Sequence, residues 1–158
     1  MGPSRSSEGT GLTARSQGKL EQSDYERLLE FRTAIRKFLK YSKGQAEKLG
    51  LTPTQHQLLL AVRGVGGEDP VTIGQIAECL LIRHHSAVEL VDRAQAAGLV
   101  TRKVDGRDQR VVRLALTKSG AAKLEEISIA NLQELARLTP ELEEVRRAIA
   151  HVAEKTRA

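Results

Sequence analysis

Asp105, Arg107, Asp108 and Arg110 crowd around one glycine in the stretch DGRDQR, which runs straight into VVRLALT. Arginine suits a phosphate or a narrow groove of negative potential, because its planar guanidinium stays charged and offers a fork of donors. Asp108 and Arg110 are two apart, so on an extended strand their side chains leave one face and the carboxylate holds the guanidinium oriented. A pre-oriented guanidinium enters a minor groove at lower entropic cost than a free one. The plain alternative is an exposed ion pair worth about 0–1 kcal/mol with no function. Arg102 and Lys103 stand behind the tip, and long cations on a projecting ribbon have few structural uses.

A second polar set lies just upstream, comprising Arg83, His85, Ser86, Glu89 and Arg93. At 100° per residue, Ala87, Leu90, Val91 and Ala94 share one helix face, whereas His85, Glu89, Arg93 and Ala96 lie near the other with Ser86 at its edge. One face packs and the other is free to make contacts. Alone, this is an ordinary amphipathic surface helix. The adjoining cationic ribbon turns the reading toward double-stranded DNA.

The elements that position these groups are legible from spacing and caps. Ser23 and Glu26 fit a capping box for a first helix to about Lys43, with Leu28, Phe31, Ile35, Phe38 and Leu39 at helical spacing. In LTPTQHQLLLAV, Thr52 caps a second helix that starts at Pro53 and ends near Val65. Thr72 and Gln75 open a short third helix; the fourth runs from about Arg83 to Ala97 and closes on Gly98. The period then drops to two, predicting a hairpin from Val100–Val104 and 111–116 around a polar turn. From Thr117 the chain is helical through Leu124, Ile127, Leu132 and Leu135, and Thr139–Pro140 restarts a last helix through Val145, Ile149 and Val152.

Two short helices and a β-hairpin in this order form a winged helix-turn-helix, whose second helix suits a major groove. The expected fold is mainly α with a small β-hairpin wing: a DNA-binding part over 51–117, flanked by dimerisation helices over 23–50 and 118–158. The flanking helices carry apolar stripes that need a partner, so a homodimer with recognition helices roughly 34 Å apart is expected. The alternative is that they close a larger monomeric bundle. Residues 1–22, rich in Gly, Ser, Thr and Arg, read as a flexible tail; a basic arm through Arg5, Arg15 and Lys19 is the other reading.

Composition agrees with a helical, polyanion-binding protein. Of 158 residues 40% are hydrophobic but only 3% aromatic, and the net charge is +5. The basic excess sits mid-chain, with seven basic and four acidic side chains from Arg83 to Arg113. A basic region without aromatic platforms disfavours single-stranded nucleic acid. Cys79 is the sole cysteine, which excludes an internal disulfide; its neighbours Ile76, Ala77, Leu80 and Leu81 predict an inert core position. No stretch approaches the ~18 apolar residues of a membrane span and no secretory leader is visible, so a cytoplasmic protein is the default. Neither GxxxxGK[ST], GxSxG nor HExxH occurs, and no enzyme, catalytic residue or cofactor is expected. His84 and His85 point about 100° apart, a poor clamp for one metal ion, so no metal site is assigned. His84 is expected to be partly packed, and His85 to face bases or phosphates.

From Leu51 to Gly120 the chain resembles the MarR (multiple-antibiotic-resistance regulator) family, through LTPTQHQLLLAV, TIGQIAECL, LVDRAQAAGLVTR, DGRDQR and VRLALTKSG. The resemblance implies a bacterial transcription regulator, often a repressor, that binds a pseudo-palindromic operator as an intertwined dimer. It also implies release of DNA by a small amphipathic or phenolic effector lodged between the dimerisation and DNA-binding parts; Phe38, Tyr41 and His56 are the candidates for that cavity. By the same resemblance Arg110 is a minor-groove arginine and Asp108 its orienting partner. Glu89 departs from the pattern, standing where many members have arginine; it suits cytosine N4 and would repel a misplaced phosphate. Arg83 stands where a capping Ser or Asp is frequent. The rival reading is a winged-helix interaction module without DNA binding, for which Glu89 and Asp92 are the warning signs. A redox- or metal-responsive regulator is a further alternative.

Overall fold

The computed structural model describes residues 20–157, so most of the expected N-terminal tail lies outside the described residues. Five helices and three short strands follow one another as α1 (Gln22–Lys48), α2 (Pro53–Gly66), β1 (Val71–Thr72), α3 (Ile73–Leu80), α4 (His84–Ala96), β2 (Val100–Val104), β3 (Val112–Leu116) and α5 (Lys118–Arg157).

Local chemistry sets several boundaries where the sequence placed them. Thr52 Oγ1 accepts from the Gln55 amide at 3.1 Å while Gln55 Oε1 accepts from the Thr52 amide at 3.0 Å. Thr72 and Gln75 make the same reciprocal pair at 3.2 and 2.9 Å. Each box satisfies two amides that have no intrahelical acceptor. Gly98 leaves α4 with φ +71°, the left-handed conformation that glycine adopts without strain.

The first helix departs from expectation at both ends. It begins at Gln22, and its box partner is Asp24, whose Oδ2 accepts from the Glu21 amide at 2.9 Å, not the expected Ser23–Glu26 pair. It runs on past Lys43 because Ala46 is fully buried in the core, which holds the final turn in place. The last helix is also unbroken: Pro140 lies inside α5. Leu124, Ile127, Leu138, Val145 and Ala148 form one buried stripe that continues across the proline, so packing overrides the missing amide.

The wing is broader than a hairpin. β1 adds to it, giving an antiparallel sheet in the order β1-β3-β2 with Val71 opposite Leu114 and Val100 opposite Leu116. A two-residue strand has no period to read, which is why Thr72 announces itself in the sequence only as a cap. Leu58, Leu59, Ile76, Val91, Val100, Leu114 and Ile127 centre the core, joining α2–α5 to the base of the sheet. α1 lies along α5, tied by Asn131 Nδ2 donating to Ser42 Oγ at 2.9 Å and Lys123 Nζ donating to the Leu49 carbonyl at 2.8 Å.

Candidate nucleic-acid interface

Helix α4 is seated by Ala87, Leu90, Val91 and Ala94, all buried, and it turns His85, Glu89 and Arg93 outward. Ser86 is half-buried at the edge of that face. Arg83 precedes the helix in extended conformation and is exposed; arginine has no acceptor for the first-turn amides, so the helix starts without a side-chain cap. His84, expected to be partly packed, is exposed, because it lies before the first buried position of the helix.

The wing tip is organised by two carboxylates. Asp105 Oδ1 accepts from the amides of Arg107 at 2.7 Å and Asp108 at 3.3 Å, and its other oxygen accepts from Arg113 Nε. The backbone closes over it through Asp105 N–H to the Val111 carbonyl at 2.9 Å and Val111 N–H to the Asp108 carbonyl at 3.0 Å. These bonds favour the ionised carboxylate: the Arg107 amide first, then the Arg113 guanidinium, hold Asp105 down at about 2.

Asp108 holds Arg110 as the spacing suggests, but by a different route. Residues 108–110 form a turn and not a strand. Asp108 Oδ1 accepts from both the Arg110 amide at 3.0 Å and its Nε at 3.2 Å, while Oδ2 accepts from Nη2 at 3.4 Å. The guanidinium of Arg110, and then its amide, lower the Asp108 pKa. Arg110 is 90% exposed, so the pair aims a cation outward from a fixed base. Arg107 and Lys103 are exposed beside it.

Arg102 is the cation that sequence reasoning misplaced. Its Nη2 bonds Asp92 Oδ1 and its Nη1 bonds Gln95 Oε1, fastening strand β2 to helix α4. The signal is present in the spacing of Asp92 and Gln95, i and i+3 on one helix flank, but only the return of the strand beside α4 brings Arg102 to them. Arg113 is likewise occupied, by Asp105.

The expected effector residues sit on two elements. Phe38 and Tyr41 are half-buried on α1, and His56 on α2 is only 7% exposed. Nε2 of His56 has no hydrogen-bond partner, and burial lowers its pKa. An apolar cavity of about 270 Å³ lies elsewhere, between the start of α1 and the end of α5, walled by Leu28, Phe31, Val145, Ala148 and Ile149. Cys79 is exposed, against the expectation of a core thiol: Ile76 and Ala77 define the buried face of α3, and position 79 falls well off it. Among the described residues no three His, Cys, Asp or Glu side chains gather as a metal site, and no helix is long and apolar enough to cross a membrane.

Comparison with known proteins agrees with this architecture. Residues 49–111 match the MarR family. The HTH-type transcriptional repressor MdtR of Bacillus subtilis (strain 168) is 30% identical over 110 residues, which are 69% of each chain. The chain belongs to the MarR family. It is therefore a transcription regulator and not an enzyme. Among solved structures, YusO of Bacillus subtilis is 25% identical over 89% of this chain and 99% of its own, with a TM-score of 0.61. A single-substitution mutant of S. aureus MepR, solved bound to an oligodeoxyribonucleotide, is 23% identical, covers 82% of this chain and 96% of its own, and has a TM-score of 0.59. In this MarR-family chain the five helices and three-stranded wing thus carry the polar face of α4 and the braced arginines on one scaffold.

Proposed function

We propose that this regulator represses transcription by binding a pseudo-palindromic operator as a homodimer, with α4 in the major groove and the wing in the adjacent minor groove. The carrying observation is the Asp108–Arg110 fork, a charged donor held outward at 90% exposure by a carboxylate that is itself fixed to the turn backbone. Arg83, just before α4, and His85, Ser86, Glu89 and Arg93 on it are the major-groove contacts, and Lys103, Arg107 and Arg110 the wing contacts, with Asp108 as orienter. Dimerisation is supported by apolar residues left exposed on α1 and α5, among them Leu28, Leu29, Leu39, Ile129, Leu132 and Ile149. A small phenolic or amphipathic effector would find in His56 a buried ring nitrogen lacking a partner, with Phe38 and Tyr41 half-buried on α1 as the aromatic candidates. The interaction-module alternative loses one of its two warning signs, since Asp92 is engaged by Arg102.

Selection of bound duplexes from a random pool, repeated with candidate effectors, tests the proposal. The expected result is an inverted repeat whose enrichment collapses with one effector class. Arg110→Ala weakens selected and unselected duplex alike, while Glu89→Ala changes base preference more than salt dependence. Recovery of no preferred sequence, together with a monomer in sedimentation, refutes the assignment.

A further inference from the structure

Asp24 on α1 is 4% exposed, and half of its carboxylate has nothing to bond. Its Oδ2 accepts from the Glu21 amide at 2.9 Å and completes the helix cap, whereas Oδ1 has no hydrogen-bond partner. Capping needs one side-chain acceptor, which Asn or Ser supplies as well. A buried carboxylate oxygen left unsatisfied costs stability, so it points to a partner outside the chain. Arg27 does not supply the missing bond: its Nη1 stands 3.9 Å from Oδ1, an ion pair beyond hydrogen-bond reach, with the arginine side chain 43% exposed.

Asp24 belongs to the wall of the apolar cavity of about 270 Å³ between the start of α1 and the end of α5. Leu28, Phe31, Val145, Ala148 and Ile149 form much of that wall, and among the described residues lining it only Asp24 and Arg27 are charged. The two charges are opposite, so the cavity favours an uncharged guest over an ion. A single hydroxyl bridges the 3.9 Å gap between them, donating its hydrogen to Oδ1 and accepting from the guanidinium. A water makes the same two bonds but leaves the apolar space beyond it empty, whereas an alcohol with an apolar body fills both. The volume is close to the lower end of small-molecule pockets, roughly 300–1,000 Å³, and too small to admit a helix of about 10–12 Å diameter.

We infer that this cavity binds a compact, uncharged alcohol, its hydroxyl set between Asp24 Oδ1 and Arg27 and its apolar body against Phe31, Val145 and Ala148. The site is separate from the effector residues proposed above, since none of Phe38, Tyr41 and His56 lines it. It does not rest on the DNA reading, because no residue of α4 or the wing takes part. Leu28 and Ile149 on its wall are each about half exposed and also belong to the apolar surface offered for dimerisation, so a second copy of the chain is the rival occupant.

The test titrates the full chain by calorimetry with ligands that share one body: phenylbutanol, phenylbutanone, phenylbutyrate, phenylbutylamine and butylbenzene. The alcohol binds once per chain, and the ketone, the two ions and the bare hydrocarbon each bind about tenfold or more weaker, because none satisfies both Asp24 and Arg27. Asp24→Asn keeps an acceptor for the Glu21 amide and sets a donor in place of Oδ1, beside the donors of Arg27. It weakens the alcohol about tenfold and strengthens the acceptor-only ketone, reversing their order. Ala148→Leu, which fills the cavity, removes binding of every ligand. An unchanged order in Asp24→Asn, an ion that binds the parent as tightly as the alcohol, or binding that persists in a folded Ala148→Leu overturns the site. Should Ala148→Leu lose its folded midpoint, Asp24→Asn decides alone. No saturable binding by a chain that sediments as a dimer gives the cavity to the second copy and overturns the inference, leaving the DNA reading untouched.

Discussion

Arg102 separates two accounts of the same charge. As a DNA cation it would neutralise a phosphate; as a clamp it fixes the wing against α4 through Asp92 and Gln95. The two accounts give different numbers for Arg102→Gln. Arg102 is 27% and Asp92 59% exposed, so the ion pair contributes about 0–1 kcal/mol and the hydrogen bond to Gln95 about as much again at most. Loss of the clamp therefore lowers stability by roughly 1 kcal/mol, or about 2–4 °C in Tm for a chain of this size. Because no phosphate contact is lost, the slope of log affinity against log salt is unchanged, where a lost phosphate contact would flatten it by about 0.9. What falls is selectivity: the selected duplex loses more affinity than a random one, since two reading elements no longer share a fixed separation. Asp92→Asn sharpens the contrast. Simple electrostatics makes it bind all DNA more tightly, whereas the clamp makes it bind the selected sequence less well. Anisotropy titrations of the parent, both single variants and the double variant on both duplexes supply every quantity needed. A flatter salt slope for Arg102→Gln with selectivity intact, or additive effects of the two substitutions, refutes the clamp.

Burial and titration carry three more consequences. Asp105 has its carboxyl lowered from 3.8 to about 2, so its bracing of the wing is fully present above pH 3.8 and is lost as the pH falls through about 2; the amide resonances of Arg107 and Asp108 should leave their folded positions in that window, and Asp105→Asn should abolish the transition. His56 is buried with its pKa lowered from 6.5, so its neutral form stabilises the fold above pH 6.5 and that stability declines as the pH falls below it; His56→Leu should flatten Tm against pH in this range. At Gly120 an added Cβ would come within 2.1 Å of the Leu99 carbonyl oxygen, so Gly120→Ala should cost roughly 1–3 kcal/mol in urea unfolding by forcing the start of α5 off the sheet.

The parts legible in the sequence are those whose partners lie within a few residues. Thr52 with Gln55, Thr72 with Gln75 and the buried face of α4 each involve neighbours on one helix, and each is found as read. The Asp108–Arg110 contact is legible for the same reason, although a turn and not a strand creates it. The misses need the third dimension. Pro140 reads as a boundary because the buried stripe that carries α5 through it is covered by α1, from the other end of the chain. Arg102 reads as available because Asp92 and Gln95 reach it only when β2 folds back beside α4. Cys79 reads as buried because apolar neighbours in sequence are not neighbours in space; on α3 only the face of Ile76 and Ala77 is covered.

The charge of the central module explains how an acidic residue could belong to the DNA-reading surface proposed for α4. Between Arg83 and Arg113, Asp92 is taken by Arg102, Asp105 by Arg113 and Asp108 by Arg110, so three of the four carboxylates there fix geometry and their fields are largely compensated. Arg83, Arg93, Lys103 and Arg107 remain exposed. Glu89 is the exception: it is exposed in the middle of the outward face of α4, and none of the ion pairs among the described residues includes it. A carboxylate so placed weakens attraction to every phosphate equally, and that penalty is offset only where a base edge offers a donor, as the cytosine amine does. On the proposed reading, cations that bind any sequence and one anion that tolerates few are complementary requirements: the first would bring the protein to DNA, and the second would make most of the sites it meets poor ones.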